Sequence, residues 1–144
     1  MDKGDANMYL MNLSEKVKKA FLELAYLVAV SDNDYSDDEK LIMEAYKKEL
    51  QIEYDLNDLE GNIDPDAVVQ VLCADANEAE KKIIVFEITG LAMTDNQYDD
   101  EERKMIKQMN AAFKLDDDYP PKCEALINKY IELQSQIDAF VTEN

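Results

Sequence analysis

The sequence predicts an all-α fold, a single compact domain of about six or seven helices built from two pseudo-symmetric helical hairpins. Apolar residues recur with helical spacing along most of the 144-residue chain, whereas alternating strand patterns are weak. A polar segment recurs 63 residues further along the chain, which indicates an internal duplication. The predicted halves span about 14–52 and 77–115, and a last helix spans about 120–142.

The first half contains two predicted helices. The first begins after Ser14, a residue type that favours the N-cap position. Its apolar residues share one face, namely Val17, Phe21, Leu24, Ala25 and Val28. The second runs from about Asp37 to Leu50, with Ile42, Ala45, Tyr46 and Leu50 predicted to be buried. Residues 53–63 are acidic and aperiodic, which predicts a loop.

Capping signals mark the remaining helices. Asp64 followed by Pro65 predicts the start of a short, well-buried helix containing Val68, Val69, Val71 and Leu72. Asn77 and Glu80 form a capping box before a helix that is apolar on most sides and is predicted to be central. The next helix covers about Asp100 to Phe113, with Met105, Ile106, Met109 and Phe113 inward. Pro120 and Pro121 start the last helix, and its apolar stripe is interpreted as closing the protein's own core: Leu126, Tyr130, Leu133, Ile137, Phe140 and Val141.

The duplicated segment is acidic and joins an apolar helix to an amphipathic one in each half. The first copy reads Ser-Asp-Asn-Asp-Tyr-Ser-Asp-Asp-Glu-Lys over 31–40, and the second reads Thr-Asp-Asn-Gln-Tyr-Asp-Asp-Glu-Glu-Arg over 94–103. Much of this pattern fits helix capping, because Asn tolerates a positive φ and both copies contain the spacing of a capping box. A solvated acidic face with capped helices is therefore one interpretation.

Capping does not explain Asp32 and Asp95, which lie at helix C-terminal ends where the helix dipole disfavours negative charge. Each precedes a Glu by seven residues across a tight turn. Carboxylates that converge repel one another unless a cation neutralises them, and oxygen ligands suit calcium, magnesium or manganese. The second interpretation is therefore a divalent-cation site with ligands Asp32, Glu39, Asp95 and Glu102, and with Asp34 and Asp99 as auxiliaries.

The duplicated segments do not fit an EF-hand. With Asp32 at loop position 1, the Gly position is occupied by Asp37 and the bidentate Glu position by Met43. The second copy places Asp100 and Ile106 at these positions.

Composition excludes several function classes. The chain has no His, which removes Ser-His-Asp and Cys-His catalysis and His-ligated metals. Its net charge of −18 disfavours nucleic acid and anionic membranes and favours cations or a partner with a basic surface. Cys73 and Cys123 are expected to be reduced, half-buried packing residues. The acidic N-terminal stretch is not a signal peptide, so a cytoplasmic location is expected.

The duplicated segments resemble the TerB-like family of bacterial tellurite-resistance and related stress proteins. Its motif is an Asp-Gly turn followed by an apolar residue and then a Glu seven places after the Asp, within a duplicated helical domain. The matching residues are Asp32, Tyr35 and Glu39, then Asp95, Tyr98 and Glu102, and the resemblance covers about 15–115. Asn33 and Asn96 replace the usual Gly. The resemblance implies an acidic cytoplasmic protein, linked to a metal or a partner, without established catalysis.

Three functions follow from these observations. The leading one is a non-enzymatic binding module that binds a divalent cation, a protein partner or both in a bacterial stress response. The second is an all-α metal-dependent hydrolase of the nucleotide pyrophosphohydrolase kind. It needs paired carboxylates on facing helices to hold magnesium, and the sequence offers only the single residues Glu23 and Glu87, which would have to lie side by side in a pocket. The third is an interaction scaffold that docks a partner or a second copy on the last helix. A monomer or a weak homodimer is expected.

Overall fold

A computed structural model shows helices and no strands over the residues that it describes. These residues are 10, 12–29, 37–54, 63–94 and 100–142. They form six helices, α1 (Glu15–Ala29), α2 (Asp37–Leu50), α3 (Pro65–Asp75), α4 (Glu78–Thr94), α5 (Asp100–Ala112) and α6 (Tyr119–Thr142). The predicted all-α class is confirmed, whereas the pseudo-symmetry of the two hairpins stays a prediction.

Helices α1 and α4 organise the packing. Helix α1 contacts α2, α3 and α4, and helix α4 also contacts α5 and α6. Phe21 and Ile84 are fully buried, and the predicted inner stripe of α1 is buried at all five positions. The apolar sequence of α4 therefore reflects contact with three other helices, as expected for a central element.

Side chains and turns satisfy the ends of two helices, one through a cap that the sequence predicts and one through a turn that it does not. The Asp64 carboxylate accepts a hydrogen bond from the Asp66 N–H at 3.1 Å, with Pro65 as the first helical residue of α3. At the end of α5, Lys114 adopts a φ of 59°. The Leu115 N–H then donates to the Asn110 carbonyl at 3.2 Å, which is the bond of a Schellman turn.

Two predicted core positions in the short helices are wrong. Ala45 in α2 is exposed, and Val71 in α3 is 39% exposed. Each helix buries one side only, and Met43 and Leu72, both fully buried, define that side. The side chain of Ile42 lies outside the described residues.

The interpretation of the last helix is also wrong, because its apolar stripe does not close the protein's own core. Helix α6 packs against α4 and α5 through its first turns, where Cys123 and Ile127 are buried. Every described residue from Asn128 onward is exposed. The predicted stripe is exposed at all six positions, from 45% at Tyr130 to 80% at Phe140.

No helix in the described part of the chain is both long enough and apolar enough to cross a membrane.

Candidate functional site: the acidic corner and the buried carboxylates

The structure describes the side chain of one of the six predicted metal ligands. Asp32, Asp34, Asp95 and Asp99 lie outside the described residues. Glu39 lies within helix α2, but its side chain is outside the described set. The convergence of the two duplicated segments therefore stays a prediction.

Glu102, the sixth predicted ligand, is a buried carboxylate in the first turn of α5. It is 4% exposed, whereas its neighbours Asp100 and Glu101 in the same turn are exposed. Glutamate is rarely buried to this degree without a partner, and Glu102 makes a polar or electrostatic interaction within the structure. The acidic segment therefore directs one carboxylate inward and two outward.

Arg103, the only arginine of the chain, lies beside this corner. Its guanidinium lies 3.8 Å from the Asp100 carboxylate and 3.4 Å from the Glu124 carboxylate. The second contact joins α5 to the first half of α6. Arg103 therefore neutralises part of the outward acidic surface and links α5 to α6.

Glu80 is a buried carboxylate that caps two helices at once. Its two oxygens accept hydrogen bonds from the Asn77 N–H and the Ser14 N–H, both at 3.0 Å. The Asn77 side chain in turn accepts from the Glu80 N–H at 2.8 Å, which completes the predicted capping box. Both of its oxygens are engaged with backbone donors, so Glu80 has a structural role at the starts of α1 and α4.

A second acidic cluster, formed by Glu49 and Glu87 with Tyr46, lies between α2 and α4. Glu87 is 8% exposed, and burial together with the nearby charge of Glu49 raises its pKa to about 7. Burial and the same two carboxylates raise the pKa of Tyr46 well above its usual value. The Tyr46 ring packs edge-on against Phe21, with ring centroids 5.3 Å apart. Carboxylates with pKa values near neutrality are typical of functional sites and of buried structural pairs alike.

Sequence reasoning noticed Glu87 but missed Glu49. Glu87 interrupts an otherwise apolar helix, which is a visible signal. Glu49 lies in an ordinary charged stretch at the end of α2, and only the packing of α2 near α4 brings its charge close to Glu87. No spacing rule in the sequence would have found this pair.

The pairing of Glu23 with Glu87 that the hydrolase alternative needs stays a prediction. The pKa of the half-buried Glu23 is raised above its ordinary value, because the effect of burial exceeds the opposing effect of the nearby Lys19 charge. The charge that acts on Glu87 is that of Glu49. Among the residues that the structure describes, no group of three or more Cys, Asp or Glu side chains could hold a metal ion.

An apolar groove of about 540 Å³ runs between α1, α3 and α5. Leu24, Val28, Val69, Met105 and Met109 are among the residues that line it. Among the described residues that line it, Asp66 is the one ionisable side chain.

Comparison of the chain with protein-family models, with curated proteins and with solved structures gives no significant match.

Proposed function

We propose that this protein is a non-enzymatic, acidic binding module of the TerB-like type that binds a divalent cation at the duplicated corner. The observation that supports the proposal most is the burial of Glu102 at 4% exposure, in the position that the motif assigns to a ligand. Burial lowers the local dielectric constant and strengthens the attraction between this carboxylate and a cation, which offsets part of the cost of removing the carboxylate from water. The remaining proposed ligands are Asp32, Glu39 and Asp95, with Asp34 and Asp99 as auxiliaries.

The charge of the chain supports the same function. A net charge of −18 concentrates cations around the surface and attracts a partner with a basic surface, which would bind the outward-facing carboxylates of α5. It disfavours nucleic acid for the same reason. We place the protein in the cytoplasm, in a bacterial stress response, on the resemblance of its two segments to the family motif.

The test is a thermal melt with calcium, magnesium or manganese chloride against sodium chloride of equal ionic strength. The sodium arm is needed because any cation reduces the self-repulsion of so acidic a chain. A genuine site filled at 100 times its Kd adds about 2.7 kcal/mol to the free energy of unfolding. No extra stabilisation by any of the three ions at millimolar concentration would reject the proposal.

Two matched variants locate the site. Glu102→Gln should remove the extra stabilisation by the ion, while Glu101→Gln, which removes an exposed carboxylate from the same helical turn, should retain it. Asp32→Asn and Asp95→Asn should each weaken the ion's effect. Equal responses of the Glu101 and Glu102 variants would indicate general charge screening and contradict a specific site.

A further inference from the structure

The exposed part of α6 carries a regular apolar seam. Leu126, Tyr130, Leu133, Ile137 and Phe140 follow one another at spacings of four, three, four and three residues. This is the 3.5-residue period of the a and d positions in a coiled coil, which is the pattern of a helix that packs along another helix. Cys123 lies one heptad before Tyr130 and is buried against helices α1 to α5, which are called the body below. The seam therefore continues, along the exposed part of α6, from a position that is buried at the start of the helix.

The seam is large enough to form an interface. Five exposed apolar side chains form the seam, with exposures from 45% to 80%, whereas Val141 lies at its edge and Ile131 on the opposite face of the helix. At about 150–250 Å² for a whole large apolar side chain, the five offer on the order of 500 Å² of apolar surface. The largest apolar patch of an ordinary monomer is about 300–600 Å², and two such faces together approach the ~1,200 Å² of a small specific interface.

The charges around the seam favour a second copy over a basic partner. From Asn128 to Thr142 the only charged residues are Lys129, Glu132 and Asp138, although the whole chain carries a net charge of −18. Within this range the positions next to the seam are Lys129, Gln134, Gln136 and Val141, none of which is acidic, and the next flanking position beyond it is Glu143. Two copies can therefore meet along this face without like-charge repulsion, and a basic protein finds no carboxylates there to pair with.

The position of the body determines the direction in which a second helix can lie. Ile127 packs against α4, where its Cδ1 lies beside Gly90. The body therefore lies beside the seam at the N-terminal end of α6, where Leu126 stays exposed, and a parallel partner in register would bring a second body to the same end. In an antiparallel pair the two bodies lie at opposite ends, and only the exposed halves overlap.

We propose that two copies of this protein associate through the seam of α6, as an antiparallel helix pair centred near Ser135. The inference does not depend on cation binding, because it rests on residues of α6 alone. Association would also supply the tertiary contacts that an exposed helix of this length needs, since isolated helices of about 12–15 residues are marginal in water.

Sedimentation equilibrium of the full chain tests the proposal. The wild type should show a concentration-dependent monomer–dimer equilibrium, and Leu133→Glu/Ile137→Glu should weaken dimerisation at least tenfold. The matched control, Asn128→Glu/Ser135→Glu, adds the same charge to the opposite face of the helix and should leave the dimer intact. A wild type that is monomeric at all concentrations, or two double variants that dimerise equally well, would overturn the proposal.

The double variant must keep its fold for this comparison. Leu133 and Ile137 are 53% and 46% exposed, so the body should unfold at the same temperature in dilute wild type and variant. If the glutamates shorten α6, Leu133→Gln/Ile137→Gln replaces them with uncharged side chains and should still weaken the dimer. Failure of this milder pair to do so would also count against the seam.

Distance measurements separate the two helix directions. A spin label at Lys122→Cys, in a Cys73→Ser background, should give an axial separation of about 40 Å in the antiparallel pair, at 1.5 Å per residue from the centre. Cys123 is 2% exposed and should not react. A label separation near 20 Å would indicate a parallel pair and contradict the proposed arrangement.

Discussion

Helices α4 and α6 have similar apolar content and opposite surroundings. Ile84 and Ile88 of α4 are 0% and 1% exposed, whereas Ile137 and Phe140 of α6 are 46% and 80% exposed. Helix α4 contacts α1, α5 and α6, while α6 uses only its first turns for its contacts with α4 and α5. Helical spacing of apolar residues thus identifies the side of a helix that favours burial, but it does not identify the molecule that covers it.

The largest expected difference comes from the same substitution made in both helices. Ile88→Ala removes fully buried methyl groups and should lower the free energy of unfolding by about 2–5 kcal/mol, because it leaves a cavity. Ile137→Ala should change it by less than about 0.5 kcal/mol in dilute solution, since its side chain is already half exposed. Urea unfolding followed by circular dichroism measures both values. Equal losses would show that α6 is covered within the monomer and would remove the contrast.

The next difference concerns pH and the acidic residues of the two helices. The pKa of Glu87 in the folded protein, about 7, lies above its ordinary value of 4.5, so the folded state binds the proton more tightly. The stabilising contribution of this group is complete below pH 4.5 and is lost as pH rises through 7. Between about pH 5 and pH 8 the free energy of unfolding of the wild type should therefore fall by about 2–3 kcal/mol relative to that of Glu87→Gln.

The control for this prediction is Glu132→Gln, which removes an exposed acid from α6. Its stability should follow the wild-type pH dependence, measured by urea unfolding at the two pH values. If the Glu87 variant also follows the wild type, Glu87 is ionised in the folded protein at neutral pH, and the argument from its burial is wrong.

The smallest of the three effects concerns the start of α4. Glu80→Ala leaves the N–H groups of Ser14 and Asn77 without the carboxylate and should cost about 1–3 kcal/mol. Glu78→Ala removes an exposed acid from the same first turn and should cost about 0.3–1 kcal/mol, which is the dipole contribution alone. Thermal unfolding compares the two variants directly. A Glu80 variant no less stable than the Glu78 variant would show that the bridge to α1 contributes nothing.

The local signals of the sequence predicted much of the helical structure. Asp64 with Pro65 and Asn77 with Glu80 predicted two helix starts, because a cap is formed by residues that are neighbours in the chain. The stripe of α1 predicted its buried face for the same reason. The second oxygen of Glu80 could not be predicted, since it binds a backbone group 66 residues away.

The candidate sites were harder to predict because they depend on packing between distant segments. The motif predicted a ligand at Glu102, and the burial of that residue adds a property that sequence spacing does not contain. The closeness of Glu49 to Glu87 arises from how α2 lies near α4, and neither residue lies in a motif. The stripe of α6 was wrongly predicted to be buried. Apolar residues recur with the same helical period whether or not the protein's own core covers them.

The bridge from Glu80 to Ser14 has a consequence for the order of folding. A chain emerging from the ribosome makes α1 and α2 long before residue 80 exists, so the first turn of α1 lacks this acceptor during synthesis. Closing a loop of this length costs about 4 kcal/mol of chain entropy, which the contacts of α1 with α4 must offset together. We therefore expect nascent chains that end before α4 to be easily cleaved near Ser14, and protection to appear in one step once α4 has been synthesised.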